Sequence, residues 1–387
     1  MSDGSAQVVV IGGGIIGTAA TYYLAKQGID VALVERGDFA SGTSSACNGG
    51  VAMQTKGSGI KLKVALKSKE MYQHLGEELG EDLEFAMDGS MIIAETEDEL
   101  EYIHSLAERQ RSVGLNVELL SKKETRERQP ALSDRVVAST FCSIDGQINP
   151  LKVTFGFGRA ARKEGANIHT YTEVRGIQVR RRRVSAVITD RGNIKTETVV
   201  NAGGMWAPDI GKMVGLEIPI RPRRGMLLIT EPVPPVIRGS LNSAKYLMSK
   251  YSEGTGGKKG NEISGGFGLR TAKNGNLIIG SSREFVGYDK NTTFQGISFI
   301  GREAVRLVPI VRNVNIIRTF AGLRPSTPDG LPILGEVPEV KGFIVAAGHE
   351  GDGIALAPIT GALIANLIAR GEYSEELVQL GIQRFNH

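Results

Sequence analysis

Cysteine is scarce in this chain: only Cys47 and Cys142 occur among 387 residues, and they form no CxxC pair. That excludes a disulfide framework, a zinc ribbon and a cysteine-ligated iron–sulfur cluster carried by this chain alone. No metal site is expected, and a reducing cytoplasm is the simplest compartment. Charge of one sign is scarce too. The 46 Lys and Arg against 42 Asp and Glu leave a net charge of +4, too little to imply nucleic-acid binding. The one dense basic run, four arginines at 180–183, lies between two extended segments and suits a solvated hairpin turn. Long hydrophobic runs are missing as well. The apolar stretch at 8–24 follows an acidic start and is interrupted by Gly12, Gly13, Gly14 and Gly17, unlike a signal peptide, and no membrane span is read elsewhere. No short-period repeat occurs.

What the chain does have is length, an ordinary globular balance of 41% hydrophobic and 23% charged residues, and 50 glycines. The length exceeds one hydrophobic core, so two domains are expected. The glycines mark places where backbone turns tightly or approaches a ligand. Val8-Val-Val-Ile11 reads as a buried parallel strand. Ile15, Ile16, Ala19, Ala20, Tyr23 and Leu24 recur at helical spacing up to about residue 27, and Val31-Ala-Leu-Val34 reads as a second strand. This is a βαβ unit, which implies a right-handed crossover and a parallel sheet. Helices are expected near 61–79, 97–113, 152–164 and 353–369, and strands near 90–94, 136–141, 168–172, 176–179, 185–189, 198–201 and 342–347. The stretch 218–320 reads as strand-rich, with a flexible Gly/Lys-rich loop at 252–266.

Gly12-x-Gly14-x-x-Gly17 falls between the first strand and its helix, with Glu35 at the end of the next strand. These residues then have separate roles in a tight turn, in the close approach of a pyrophosphate to N–H groups at the helix N-terminus, in helix–sheet packing, and in accepting from ribose hydroxyls. The glycines alone do not separate NAD from FAD.

The order of further motifs does. Glu35-Arg36, Ser41-Gly-Thr-Ser-Ser-Ala-Cys-Asn-Gly-Gly50, Asn201-Ala-Gly-Gly-Met-Trp206, Gly322-Leu-Arg-Pro-Ser-Thr-Pro-Asp-Gly330 and Gly348-His-Glu-Gly-Asp-Gly353 together resemble the D-amino-acid oxidase superfamily of FAD-dependent oxidoreductases over nearly the whole chain. Within it the chain resembles glycine oxidase, the sarcosine oxidase beta subunit and the flavin subunits of heteromeric proline, hydroxyproline and opine dehydrogenases.

That resemblance implies an α/β fold, in which a Rossmann-type FAD/NAD(P)-binding domain (1–85, 143–215, 322–387) carries an α+β substrate domain of mixed, mainly antiparallel sheet (86–142, 216–321). It implies non-covalent FAD held by Gly12, Gly14, Ile15, Ile16, Gly17, Glu35, Arg36, Thr43, Ser44, Asn48, Gly49, Gly50, Val174, Ala202, Gly203 and Trp206. The loop His349, Glu350, Gly351, Asp352, Gly353 and Ile354 would form a second contact, at the pyrimidine side of the flavin. Arg324 stands where family members hold the substrate carboxylate, a role its planar fork suits. His349 is the candidate acid or base, with a structural hydrogen-bonding role as its alternative.

Three positions depart from the relatives. Gly351 replaces the second arginine of glycine oxidase-like chains, Ile278 the oxygen-activating lysine of monomeric sarcosine oxidases, and Asn149 the histidine that links a second flavin. These departures favour a dehydrogenase of a small amino acid or N-substituted amino acid, transferring hydride to flavin N5 and passing electrons to other subunits, with FMN at a subunit interface as a further cofactor. A self-sufficient oxidase making hydrogen peroxide and a non-catalytic FAD-bearing assembly subunit are the alternatives.

Overall fold

The computed structural model describes residues 4–252 and 263–385. Val8–Ile11 is buried at every position, as a continuous apolar strand must be when both faces of its sheet are covered. It lies inside a six-stranded sheet of order Ile333–Glu336, Phe343–Ala347, Thr198–Asn201, Val8–Ile11, Val31–Val34, Asn167–His169. All neighbours pair in parallel except the edge strand Ile333–Glu336.

Helix Ile15–Lys26 makes the crossover between Val8–Ile11 and Val31–Val34, and it packs against helices Gly353–Arg370 and Pro150–Lys163. Helix Gly353–Arg370 is long and apolar enough to cross a membrane by length and composition, although the sequence pattern gave no span there. Its apolar residues Ile354, Leu356, Leu363 and Ile364 are instead buried in this helical core. The other face of the sheet is covered by four strands, Gly4–Ser5, Gly192–Lys195, Arg183–Thr189 and Val174–Arg180, through Ile177, Val184, Val187 and Ile194. Arg181 and Arg182 form the turn of that hairpin, both at positive φ and exposed.

An eight-stranded sheet runs in the order Ile316–Ser326, Arg221–Pro232, Asn276–Arg283, Ser264–Thr271, Ser240–Ser243, Ser90–Ala94, Ala138–Cys142, Glu118–Ser121. It is antiparallel except where Ser240–Ser243 meets Ser90–Ala94. The fold is therefore α/β with a mixed second sheet. Two helices interrupt the stretch read as strand-rich. Phe294–Leu307 buries Ile300, Ala304 and Leu307 against Met226, Leu228 and Phe267, and Ala244–Ser252 packs on Ser264–Thr271. Of the expected loop at 252–266, that helix and the strand Ser264–Thr271 take the two ends; 253–262 lie outside the described residues.

Candidate active site

A cleft of about 700 Å³ opens where the parallel strands end, at Ile11 and Val34, and extends to the eight-stranded sheet. Gly12 holds φ +115°, and a Cβ there would meet the Ala202 carbonyl oxygen at 2.6 Å. A side chain at Gly17 would meet the Gly12 oxygen at 1.9 Å, so Gly17 packs the helix onto the turn and does not line the cleft. No side chain caps helix Ile15–Lys26, and the Ile15 N–H donates to Ser44 Oγ at 3.0 Å. An uncapped N-terminus facing a long cleft suits a pyrophosphate.

Gly12, Gly14, Ile15, Ile16, Glu35, Arg36, Thr43, Ser44, Asn48, Val174, Ala202, Gly203 and Trp206 all line this part. The Glu35 carboxylate accepts from the N–H groups of Gly13 (2.6 Å) and Gly37 (2.7 Å), which fixes it at the strand end. Arg36 lies over the Trp206 ring at 3.9 Å, with Tyr288 stacked 6.4 Å from that ring. Gly49 and Gly50 stand behind the wall. Gly49 has φ +73°, and a Cβ there would strike the Ile148 oxygen at 2.2 Å, while the Gly50 N–H donates to Asn48 Oδ1.

At the far end Arg324, Gly348, His349, Glu350, Gly351, Gly353 and Ile354 meet Gly225, Tyr246 and Ser281. Arg324 donates to Ser281 Oγ at 2.8 Å and to the Ser282 carbonyl at 3.2 Å, and among the described residues no carboxylate is ion-paired with it. Gly225 makes this possible, because a Cβ there would lie 2.1 Å from the guanidinium. Tyr246, Gly225 and Ser281 escaped the sequence reading; Gly225, paired with Gly322 across the strands, had no motif to mark it.

The sequence also hid two charge clusters. Glu350 accepts from Arg283 at 3.0 Å and from Arg223, all three buried. Burial pushes its carboxyl up, but Arg223, Lys250 and Arg324 outweigh this and hold it below the usual range. Asp352 does not line the cleft and pairs with Lys56, Lys61 and Lys250. His349 is buried with Nε2 3.1 Å from Thr360 Oγ1, and burial pulls its pKa down to about 3, so it is neutral near pH 7. Helix Gly353–Arg370 starts beside it without a side-chain cap. The uncapped N-termini of two helices thus face the cleft from two sides, and the residues present fit FAD.

A second, wider cleft of about 1370 Å³ adjoins the first and shares Gly42, Thr43, Ala46, Cys47, Met205, Lys290 and Gly322 with it. Asn149 and Ile278, far apart in sequence, both line it, with Arg270, Lys273 and Arg318. The Nε of Arg270 and the hydroxyl of Thr271 are buried there without hydrogen-bond partners.

A glycine-rich turn beneath a helix N-terminus, continued by a cleft that ends at an arginine ion-paired with no carboxylate among the described residues, defines a dinucleotide-binding protein with room for a second, anionic ligand. The chain belongs to the DAO family, described as FAD dependent oxidoreductase, whose profile matches residues 7–367. It is 32% identical to the glycine oxidase of Geobacillus kaustophilus (strain HTA426), covering 97% of this chain and 96% of that protein. It is 29% identical to the hydrogen cyanide synthase subunit HcnC of Pseudomonas aeruginosa, covering 98% and 94%. The crystal structure of L-proline dehydrogenase from P. horikoshii superposes with a TM-score of 0.89 at 28% identity, covering 99% and 98%. The protein is an FAD-dependent oxidoreductase.

Proposed function

We propose that this protein dehydrogenates a small amino acid or N-substituted amino acid of the proline, hydroxyproline, sarcosine or opine class and passes the electrons to partner subunits. The observation that carries the reading is Arg324, a cleft-lining guanidinium that is ion-paired with no carboxylate among the described residues, held by Ser281 and facing Gly351, with Glu350 nearby already bonded to Arg223 and Arg283. A substrate carboxylate would supply the missing charge in a bidentate pair. FAD would be held by Gly12–Gly17, Glu35 and the 41–48 loop, with residues 348–354 contacting its ring system. When bound it supplies the two-electron acceptor, taking hydride at N5. The chain's own part is to hold the carboxylate, orient the C–H bond and keep water out. Glycine at 351, against which Arg324 lies, leaves one arginine for the carboxylate. Residues 1–85, 143–215 and 322–387 would act as the FAD-binding unit and 86–142 and 216–321 as the substrate unit.

The second cleft supports the partner reading. Arg270, Arg318 and Lys290, with the orphaned polar atoms of Arg270 and Thr271, would take an anionic group such as the phosphate of FMN at a subunit interface, whereas Lys273 is already paired with Asp82, and Glu84 and Asp88 also line the cleft. A cytoplasmic assembly of this kind agrees with the reduced state expected of Cys47 and Cys142. The test is absorbance-monitored anaerobic reduction with D-proline, hydroxyproline, sarcosine, glycine and opines in turn. Bleaching of the flavin by one of these, but not by amines without a carboxylate, is expected; bleaching by none would overturn the substrate class. Acid precipitation of the same preparation should release the FAD into the supernatant, and colour left in the pellet would contradict non-covalent binding.

A further inference from the structure

Asp352 stands one residue behind the cleft wall. Gly351 and Gly353 line the cleft, whereas the Asp352 carboxylate is turned among three lysines. Lys56 Nζ lies 2.7 Å from Oδ1, and Lys61 and Lys250 lie 3.2 Å and 3.0 Å from Oδ2. All four side chains are less than a tenth exposed. They converge from the 52–57 segment, helix Ile60–Leu79, helix Ala244–Ser252 and the residue preceding helix Gly353–Arg370. One lysine would satisfy one carboxylate. Three leave a formal charge of +2 where water is excluded, which is costly for stability alone, since an apolar side chain of similar length fills such a place without desolvation. The uncapped N-terminus of helix Gly353–Arg370 adds positive potential in the same direction.

We propose that Lys56, Lys61 and Lys250 are positioning residues that tune the cofactor: their surplus positive charge, set behind the 351–353 wall by Asp352, stabilises the negative charge the flavin's pyrimidine ring gains on accepting two electrons and one proton from the substrate. The proposal goes beyond the substrate reading and rests on residues 349–354 contacting the pyrimidine side of the flavin, as the family resemblance implies. Burial depresses Lys56 and Lys61. For Lys250, burial is outweighed by Asp352, Tyr251, Glu350 and Tyr246, and its ammonium is strengthened. The first proton lost from the cluster still leaves a net positive charge. Two more carboxylates stand nearby: Glu350 is already matched by Arg223 and Arg283, and Asp145, which faces Lys56, is buried on hydrogen bonds from Ser90 and the Met53 N–H, with burial pushing its carboxyl up toward the neutral form.

The experiment equilibrates the holoenzyme with a reference dye under nitrogen and compares wild type with Lys250→Met, Lys61→Met and Lys250→Arg, with FAD content measured in parallel. Each methionine variant should shift the oxidised–reduced equilibrium toward oxidised flavin by about tenfold or more, while Lys250→Arg stays within about threefold of wild type. A methionine variant that keeps its FAD and the wild-type equilibrium overturns the proposal. So does loss of FAD from both methionine variants, since the cluster would then be a structural support. A holoenzyme crystal structure separates the two readings. The dimethylbenzene edge of the ring against Gly351 and Gly353 would fail the orientation; an unchanged equilibrium with the pyrimidine edge there would fail the lysine proposal alone.

Discussion

Arg324 and His349 show how burial and pairing divide neighbouring cleft residues between chemistry and support. Arg324→Ala removes a charge-assisted bond to a desolvated carboxylate, a loss of about 1.5–3 kcal/mol, so kcat/KM should fall at least roughly tenfold while FAD content is unchanged. Steady-state kinetics beside flavin absorbance would check this, and unchanged kinetics would remove Arg324 from the site. His349 is neutral when folded, with a pKa of about 3, but takes up a proton near pH 6.5 when unfolded. Between these values the unfolded chain binds more protons, so the His349 contribution to stability is complete above pH 6.5 and is lost as pH falls toward 3. Urea titrations of wild type and His349→Gln at pH 7 and pH 5 should show the variant losing less on acidification, by about 2 kcal/mol. Equal losses would show that His349 is not buried neutral. Residues of this kind were legible in part. Local backbone demands made the glycine motif and Glu35 readable, because their geometry is contained within one βαβ unit. Glu350 with Arg223, 127 positions away, and Asp352 with Lys56, 296 away, leave no local pattern, and only the fold brings them together.

Among the elements, the two helices that end at the cleft are fixed to one another by a small residue. At Gly361 in helix Gly353–Arg370, a Cβ would meet backbone of Ala19 at 2.8 Å and the Tyr23 ring at 2.8 Å, so the helix approaches helix Ile15–Lys26 too closely here for a side chain. Gly361→Val should force the helices apart at a cost of about 1–3 kcal/mol or more. Because both N-termini face the FAD cleft, the variant should lose FAD more readily as well as melt earlier. Thermal unfolding and flavin release on dilution would test it, and a variant with wild-type values of both would show that the packing can yield. Both helices were readable from the sequence because apolar spacing and glycine stops coincide, as at Gly371, which ends the second in a left-handed turn. Helix Phe294–Leu307 was not. Its buried stripe is short, its first residue Phe294 is exposed, and the β-branched residues around it favour strands when read alone. Its stability comes from the eight-stranded sheet beneath it, which is not a local property.

For the whole molecule the two adjoining clefts bear on where the proposed reaction would send its electrons. The first cleft ends at Arg324, the proposed substrate anchor, and the second opens on the other side of the 42–47 segment and Gly322, so a carrier or partner seated there would lie against the same wall. Ile278 lines the second cleft and offers no positive charge to stabilise the superoxide formed when oxygen takes the first electron from reduced flavin. Arg270 lines the same cleft and keeps its charge near pH 7, burial lowering its pKa only to about 10, so the expectation is that this cation stands too far from the flavin to assist oxygen. The sequence has no CxxC pair and no second dinucleotide fingerprint, so on the proposed dehydrogenase reading onward transfer would use another subunit. The expected outcome is slow reaction with oxygen. After anaerobic reduction by substrate and admission of air, reoxidation should proceed on the order of hundreds per molar per second or slower, where electrostatic assistance is missing. Adding a partner that fills the second cleft, or an artificial acceptor, should restore turnover. Peroxide released at a rate matching substrate oxidation by the isolated chain would instead establish a self-sufficient oxidase, and would mean that a cation other than a residue at 278 assists the oxygen step, with Lys290, which borders both clefts, the first to replace by methionine.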